Sequence, residues 1–331
     1  MSRVSVISSG SWGTALAVVL INNGHSVRMW SHSPAEAENM NKNRKSEFLP
    51  GAELPGALYV TTDAAEAAEG AEFFVNAAPS KFTRSALERF APFLAGARAV
   101  ITVSKGLEER TLSRLSEVIS EIAPEARVAA LTGPSHAEEV VRRIPTACVS
   151  ASAYPEAARD AQNLFMNQDF RIYTTGDIIG AELGGALKNV IAVAAGISDG
   201  LGYGDNTKAA LMTRGIAEIA RLGCAMGAKH ETFGGLAGIG DLIVTCTSMH
   251  SRNRRAGILL GRGKTLDETL GEVRMVVEGV DTARAALLLA EKHGVSMPIT
   301  KEVNEVLFNA KEPRRAVLDL MLRDKTTETR Q

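Results

Sequence analysis

The fold is decided by residues 3–30, RVSVISSGSWGTALAVVLINNGHSVRMW. Their pattern predicts three elements, which are a buried strand over 3–8, a helix over 14–23 that ends at Gly24, and a second strand over 25–30. A turn of small residues separates the first strand from the helix. A strand, a tight turn, a helix and a strand in this order are typical of a βαβ unit, so we expect two parallel strands joined by a helical crossover.

The same alternation continues outward from this unit. Further strands are predicted at 72–78, 98–103, 128–132 and 146–151, with helices near 64–69, 83–94, 109–122 and 155–166. This order predicts a mostly parallel, doubly wound sheet. After residue 180 strand-like runs nearly vanish, and helices are predicted at 180–199, 207–226, 265–271, 279–293 and 300–309. We therefore expect an α/β domain over 1–180 and an all-α domain over 181–331.

The charge balance of the 331 residues excludes some partners. Lysine plus arginine number 37 and aspartate plus glutamate 38, which gives a formal net charge of −1. A chain so close to neutral offers no overall basic field to nucleic acid or an anionic membrane, so an anion must bind to a local cluster. The apolar stretch near residue 190 is interrupted by Lys188 and Asp199, and we expect no transmembrane span.

The spacing of the cysteines and histidines bears on the cellular compartment of the protein and on whether it binds a metal ion. The three cysteines, Cys148, Cys224 and Cys246, are scattered without a CxxC spacing, which argues against disulfides or a zinc site and favours a reducing cytoplasm. The six histidines show no HxxH or HExxH pattern, so we expect no metal. Since a strand is predicted within three residues of the start, we expect no signal peptide.

The turn after the first strand reads SSGSWG over residues 8–13. The dinucleotide fingerprint G-x-G-x-x-G would place glycines at 8, 10 and 13, and two of the three are present. Gly10 lets the backbone approach a pyrophosphate, and Gly13 lets the helix lie close to the strand. Ser8 can take the first position only with a negative φ or with strain. The position before a helix N-terminus favours dinucleotide binding and a Rossmann domain over a purely structural turn.

The end of the second strand bears on the choice of nucleotide. It reads WSHS over residues 30–33, without the acid that normally holds the ribose hydroxyls of NAD. A 2′-phosphate would not be repelled there, and Ser31 and His32 could hydrogen-bond it. We expect NAD or NADP as cofactor, the alternative being that His32 is simply a surface histidine.

Three groups of residues are candidates for proton transfer or for binding an anionic ligand. Lys188 lies in a predicted helix of small apolar residues, where burial would lower its pKa, although an exposed, snorkelling lysine is the usual alternative. Lys105 follows a predicted strand end, where open α/β sheets bind ligands. In the basic cluster 251–255, Arg252 and Asn253 are candidates for a phosphate, whereas we expect Arg254 and Arg255 to be solvated.

Seven longer blocks of the sequence resemble, in order and spacing, those of a known enzyme family. They are 104–108 (SKGLE), 132–137 (TGPSHA), 184–191 (GGALKNVI), 199–206 (DGLGYGDN), 238–242 (GIGDL), 251–255 (SRNRR) and 277–279 (VEG). In order and spacing they closely resemble the bacterial NAD(P)-dependent glycerol-3-phosphate dehydrogenases, from residue 4 to about residue 320. The main departure is Ser8, where that family usually has glycine.

This resemblance implies a Rossmann domain for the dinucleotide, an all-α substrate and catalytic domain like that of 6-phosphogluconate dehydrogenase, and a cleft between them. It implies Lys188 as the acid/base, with Asp241 as the second catalytic residue. The implied cofactor contacts are Gly10, Ser11, Trp12, Gly13, His32, Lys105, Ala137, Arg252, Val276 and Glu278. The implied substrate contacts are Lys105, Gly133, Ser135, Lys188, Asn189, Asp241, Ser251, Arg252 and Asn253.

The implied reaction is the NAD(P)H-dependent reduction of dihydroxyacetone phosphate to sn-glycerol 3-phosphate, which supplies glycerophospholipid synthesis, by a cytoplasmic homodimer. Hydride transfer to a ketone leaves charge on the carbonyl oxygen, which a lysine ammonium can neutralise by giving up a proton. Two alternatives stay open. One is another dehydrogenase of the same plan, of the 3-hydroxyacyl-CoA or 6-phosphogluconate type, and the other is a nucleotide-binding regulator without turnover, which only Ser8 supports.

Overall fold

A computed structural model describes residues 1–325 and 327–328. In this part of the chain eight strands form one sheet, and they are β1 (Arg3–Ile7), β2 (Ser26–Trp30), β3 (Tyr59–Thr61), β4 (Phe73–Asn76), β5 (Ala99–Thr102), β6 (Val128–Thr132), β7 (Thr146–Ala151) and β8 (Phe170–Thr175). Their order is β3-β2-β1-β4-β5-β6-β7-β8, and every pair is parallel except β6 with β7. The strand order reverses between β1 and β4, so a crevice opens beyond the carboxyl ends of these two strands, where such sheets bind ligands.

Helices cover both faces of this sheet. They are α1 (Ser11–Asn22), α2 (Pro34–Asn43), α3 (Ala64–Ala68), α4 (Ser80–Glu88), α5 (Ala91–Leu94), α6 (Leu115–Ile122), α7 (Ala137–Val140) and α8 (Pro155–Phe165). Val4 and Val6 of β1 belong to one apolar cluster with α1 and α8, whereas Phe74 of β4 and Val100 of β5 belong to a second cluster with α4 and α6. Successive side chains of a strand point to opposite faces, which produces two cores and the predicted doubly wound sheet.

The rest of the described chain is helical. It contains α9 (Ile178–Gly200), α10 (Asp205–Ala225), α11 (His230–Phe233), a π-helical turn (Leu236–Gly240), α12 (Asp241–Thr247), α13 (Arg252–Gly261), α14 (Leu266–Val273), α15 (Glu278–Lys292), α16 (Pro298–Phe308) and α17 (Pro313–Met321). By length and composition α9 could cross a membrane, but 83% of its apolar window is buried inside the protein. It is the central helix, against which α10, α11, α12, α13, α15 and α16 pack. The predicted fold class, a Rossmann-like α/β part followed by an all-α part, is confirmed.

Helices α9 and α13 cross at unusually short range because each carries two glycines four residues apart. A Cβ added to Gly196 of α9 would lie 2.1 Å from the carbonyl oxygen of Arg254. A Cβ added to Gly257 of α13 would lie 2.1 Å from the carbonyl oxygen of Val193. The backbones therefore touch, and the position of α13 is fixed against α9.

Several elements differ from the sequence prediction. The helix expected over 83–94 is interrupted and forms α4 and α5, and the helix expected over 109–122 begins only at Leu115, after a turn in which Leu112 has φ +61°. Helices α2, α7, α11, α12, α13 and α17, the π-helical turn, and strands β3 and β8 were not expected. The last strand ends at Thr175, and α9 begins at Ile178. Residues 326 and 329–331 of the predicted second domain lie outside the described residues.

Candidate active site

The turn after β1 has the geometry of a phosphate-binding loop. Gly10 is the N-cap of α1 without a side-chain cap, and no acidic residue lies in the first turn, so the first backbone N–H groups are free to bind an anion. A Cβ on Gly10 would meet Ser8 Oγ at 3.8 Å and nothing closer, which leaves room for a ligand. A Cβ on Gly13 would lie 2.3 Å from the Ser8 carbonyl oxygen. The two glycines therefore have the predicted geometry, and the turn fits a pyrophosphate.

The sequence left two conformations open for Ser8, a negative φ or a strained backbone, and the structure has the strained one. Its φ is +100°, a backbone conformation that glycine adopts freely and that side-chain-bearing residues rarely adopt. Nearby, the indole Nε1 of Trp12 is buried without a hydrogen-bond partner in the described chain. Both features lie at the edge of the proposed nucleotide site.

The end of β2 corrects one prediction. The Ser31 side chain is fully buried, accepts a hydrogen bond from Ser9 Oγ at 2.8 Å and donates to the Ser33 carbonyl at 3.2 Å. The sequence suggested that this hydroxyl could hydrogen-bond a 2′-phosphate, but here it is bonded to neighbouring residues, as small hydroxyls in tight turns often are. His32 is exposed and stays a candidate.

A buried carboxylate joins two lysines from the two halves of the protein. Lys188 of α9 donates to Asp241 Oδ1 and, at 2.6 Å, to Thr245 Oγ1. Lys105, which follows β5, donates to Asp241 Oδ2 at 2.8 Å and to the Gly133 carbonyl at 2.8 Å. Lys188 is 5% exposed and Asp241 1%. The burial expected for Lys188 is thus observed.

The charges in this cluster depend on one another. Burial lowers the pKa of Lys188 to about 8, and the Lys105 ammonium adds to this, although Asp241 opposes it. Burial raises the pKa of Asp241, but the two ammonium groups outweigh it and hold the pKa below its usual value. Near neutral pH, Asp241 is ionised, and Lys188 is a cation that readily gives up a proton.

The loop after β6 completes this cluster. Ser135 Oγ accepts a hydrogen bond from Lys105 Nζ at 3.2 Å and donates to the Gly133 carbonyl at 2.8 Å. Gly133 has φ +129°, so the loop depends on glycine there. Ala137 begins α7 and is buried in the cluster against which Trp12 packs. These predicted residues lie at the carboxyl edge of the sheet.

The N-terminus of α13 lies beside α9. Asn253 donates through Nδ2 to Asn189 Oδ1 and accepts from the Gly279 N–H, both at 2.9 Å. Ser251 is the N-cap and accepts from the Arg254 N–H at 3.2 Å. Ser251 Oγ keeps a free O–H and Asn253 Nδ2 keeps a second N–H, so both side chains can still donate at this terminus beside the free backbone N–H groups. The Arg252 side chain, half-buried, has no hydrogen bond to any described residue.

Arg254 corrects a second prediction. It was expected to be solvated, but its side chain is 13% exposed and donates from Nε to Asp199 Oδ2 at 2.7 Å. It also donates from Nη1 to the Thr247 carbonyl at 2.8 Å. The prediction failed because charge pattern alone cannot show that the end of α9 presents a carboxylate there.

The N-terminus of α15 lies near the start of α4. Glu278 accepts a hydrogen bond from the Ser80 backbone N–H, where α4 begins, and burial raises the pKa of its carboxyl while the Arg252 charge opposes this. Val276 lies in the preceding loop and is half-buried. Helix α15 therefore brings Glu278 to the start of α4, and Val276 precedes it by two residues.

Three residues near this cluster, Thr245, His136 and His250, were not expected from the sequence. Thr245 follows Asp241 by four residues on α12, so one helical turn places both on the same face, a spacing that could have revealed it. The ring centroid of His136 lies 5.7 Å from that of His250. Burial, followed by the charges of Lys188 and Lys105, lowers the pKa of His136. Nothing in the sequence singled out this pair.

A glycine turn before a helix N-terminus and a buried lysine paired with a carboxylate are together typical of a nicotinamide-dependent dehydrogenase. Residues 3–158 match the family model described as NAD-dependent glycerol-3-phosphate dehydrogenase N-terminus, and residues 177–318 match that of the C-terminus. The chain belongs to the NAD-dependent glycerol-3-phosphate dehydrogenase family.

Individual relatives agree. The chain is 55% identical over 329 residues to glycerol-3-phosphate dehydrogenase [NAD(P)+] of Agathobacter rectalis, covering 99% of this chain and 98% of the relative. It is 53% identical to the protein of that name from Fusobacterium nucleatum over 99% of each chain. The crystal structure of glycerol-3-phosphate dehydrogenase from Coxiella burnetii superposes with a TM-score of 0.94 at 36% identity, over 97% of this chain and 99% of that one.

Proposed function

We propose that this protein reduces the ketone of dihydroxyacetone phosphate to sn-glycerol 3-phosphate with NADH or NADPH, and catalyses the reverse reaction. The observation that carries the proposal is the buried Lys188, hydrogen-bonded to Asp241 beside the dinucleotide-binding edge of the sheet. A buried cation with a lowered pKa is suited to proton transfer near neutral pH.

The chain's own residues supply the proton chemistry. Bound NAD(P)H supplies the hydride. The Lys188 ammonium gives a proton to the carbonyl oxygen as negative charge develops there, and its neutral amine takes the proton back in the reverse direction. Asp241 and Thr245 fix the direction of the Lys188 ammonium. Lys105 stays bonded to Asp241, so the carboxylate keeps a counter-charge when Lys188 becomes neutral.

The phosphate of the substrate is assigned to the start of α13. The Arg252 guanidinium can bind a phosphate with two parallel hydrogen bonds, and the N-terminal N–H groups of the helix add donors and a positive dipole end. The amide of Asn189, adjoining Lys188, is held at this end by Asn253. Ser251 and Asn253 can contribute backbone N–H groups together with the remaining O–H and N–H of their side chains, which also hold the helix end in place.

The nucleotide is assigned to the carboxyl edge of the sheet. We propose that the turn from Gly10 to Gly13 holds the pyrophosphate and that His32 meets the adenosine ribose or its 2′-phosphate. Trp12, Ala137, Lys105, Arg252, Val276 and Glu278 then line the rest of the site. The absence of an acid at the end of β2 supports the use of both nucleotides.

Further parts of the proposal rest on the family. They are a division into domains near residue 180, a homodimer, a cytoplasmic location and a role in supplying glycerophospholipid synthesis. The end of the sheet at Thr175 and the start of α9 at Ile178 support the division. Light scattering of the purified protein tests the dimer.

The direct test is oxidation of NADH and of NADPH, followed at 340 nm, with dihydroxyacetone phosphate as the sole acceptor. Turnover with either nucleotide supports the proposal, and the ratio of the two rates gives the preference. Folded protein that binds nucleotide but oxidises neither would favour a regulator or a related dehydrogenase instead.

A further inference from the structure

A second ionic cluster lies at the end of α9, outside the proposed catalytic residues. Asp199 accepts from Arg254 Nε through Oδ2 and forms an ion pair with Lys208 Nζ through Oδ1, both at 2.7 Å. The three side chains are 14%, 13% and 16% exposed, so water screens them little. The cluster joins the end of α9 to the first turns of α10 and α13.

Arg254 also fixes the loop that precedes α13. Its Nη1 donates to the Thr247 carbonyl at 2.8 Å and approaches Met249 Sδ at 3.0 Å. The guanidinium therefore joins the last turn of α9, the end of α12 and the intervening loop. Residues two apart on a helix face in different directions, so Arg254 points to α9 while Arg252 is free to face the crevice.

The orientation of this helix end matters because hydrogen bonds from backbone N–H groups are directional. The close contact of Gly196 with Gly257 sets the distance between α9 and α13. It meets α13 at Arg254 and Gly257, on the helix backbone rather than on the loop at residues 248–251. Asn253 holds the first turn of α13 against Asn189, and Asp199, through Arg254, joins that turn to the end of α12 before the loop.

We propose that Asp199, acting through Arg254, is a positioning residue that holds the N-terminus of α13 in the orientation that binds the substrate phosphate. The inference rests on the proposed function, since it concerns the same substrate. If the cluster served stability alone, its loss would affect every substrate equally. If it positions the phosphate site, its loss affects phosphorylated substrates selectively.

The test compares Asp199→Asn, which removes the charge with little change of shape, with the wild-type protein. The KM for dihydroxyacetone phosphate should rise about tenfold, as expected for one lost hydrogen bond to a charged group, with kcat and the KM for NADH nearly unchanged. With dihydroxyacetone, which lacks the phosphate, kcat/KM should not change. The Kd of inorganic phosphate, measured by calorimetry, should rise in parallel with the KM.

Two further variants serve as a control and as a second test of the same contact. Lys208→Met removes the other partner of Asp199 but leaves the bonds of Arg254, so its KM should match that of the wild type. Arg254→Lys keeps the charge but cannot reach Asp199 and Thr247 together, so it should reproduce Asp199→Asn and serves in its place if that variant does not fold.

Equal losses with both ketones, an unchanged KM and Kd in Asp199→Asn, or a failure of both variants to fold would overturn the inference. Absence of turnover in the wild type would instead refute the proposed function. The Kd of inorganic phosphate for wild type and variants would then still decide whether Asp199 positions an anion site.

Discussion

At the scale of single residues, Lys188 shows how burial and ion pairing act in opposite directions on one ammonium group. Burial disfavours the charge, while Asp241 favours it and fixes its direction. The sequence indicated this lysine from its small apolar neighbours. It could not show that the Asp241 carboxylate is shared with Lys105, because that contact joins residues 136 positions apart.

The first prediction concerns Lys188 itself. Lys188→Ala should lower kcat by about 10²-fold or more, since it removes the general acid, and should leave the Kd of the nucleotide nearly unchanged. Steady-state kinetics and nucleotide titration measure the two quantities. The matched control is Lys301→Ala, which changes an exposed lysine of α16 and should behave as wild type. Near-normal turnover of Lys188→Ala would refute its role.

The pH dependence follows from the lowered pKa of Lys188. Reduction of the ketone needs the ammonium form, so kcat for reduction should fall as pH rises through about 8. Oxidation of glycerol 3-phosphate needs the neutral amine, so kcat for that direction should rise through the same pH. Rates in both directions from pH 6 to pH 10 test this. Parallel pH profiles in both directions would contradict the assignment.

Ser8 allows a test of backbone strain. Ser8→Gly relieves a φ of +100° but adds conformational freedom to the unfolded chain, so the free energy of unfolding should stay equal or rise by about 1 kcal/mol. Activity should be equal or better. Urea unfolding and the assay at 340 nm measure the two. A large loss of either would mean that the serine side chain has a function of its own.

At the scale of elements, the sequence predicted the buried strands well and the half-exposed ones badly. Strands β4 and β5 are buried throughout, with three apolar residues followed by one polar residue, and were found. Strand β8 alternates buried Phe170 and Ile172 with exposed Arg171 and Tyr173, because it lies at the sheet edge, and it was missed. Strand β3 has three residues, too few for a pattern.

Helix α13 was missed for a different reason. Its two glycines, Gly257 and Gly261, each lower helix propensity by about 1 kcal/mol relative to alanine. Contact with α9 compensates, since the missing side chains let the backbones touch. Tertiary packing of this kind cannot be read from local propensity, although it determines where Arg252 lies.

The glycine contact gives a prediction at this scale. Gly257→Ala would place a Cβ 2.1 Å from the Val193 carbonyl oxygen, so α13 must shift. The free energy of unfolding should fall by about 1–3 kcal/mol and the KM for dihydroxyacetone phosphate should rise. The control is Gly271→Ala on α14, where nothing lies within 4 Å of the added Cβ and stability should not fall. Similar results for the two variants would refute the close contact.

At the scale of the whole molecule, the two halves are joined by buried polar contacts rather than by chain connectivity alone. Lys105 reaches Asp241 at the active site. Near the start of α9, the Glu182 carboxylate accepts a hydrogen bond from Arg114 at 2.6 Å and another from the Ser116 N–H at 2.8 Å. The start of α6 is thereby attached to the helix that carries Lys188, so the geometry of the active site depends on this junction.

The last prediction tests that junction with two carboxylates that share one partner. Glu182 and Glu117 both pair with Arg114, but Glu182 is 6% exposed and Glu117 47%. Glu182→Gln should lower the free energy of unfolding by about 3 kcal/mol, because it leaves Arg114 partly unpaired in a buried site. Glu117→Gln should lower it by about 1 kcal/mol or less, since water screens the exposed pair. Urea unfolding of both variants measures the difference. If the two variants lost equal stability, the attachment of the two halves would not depend on the buried carboxylate.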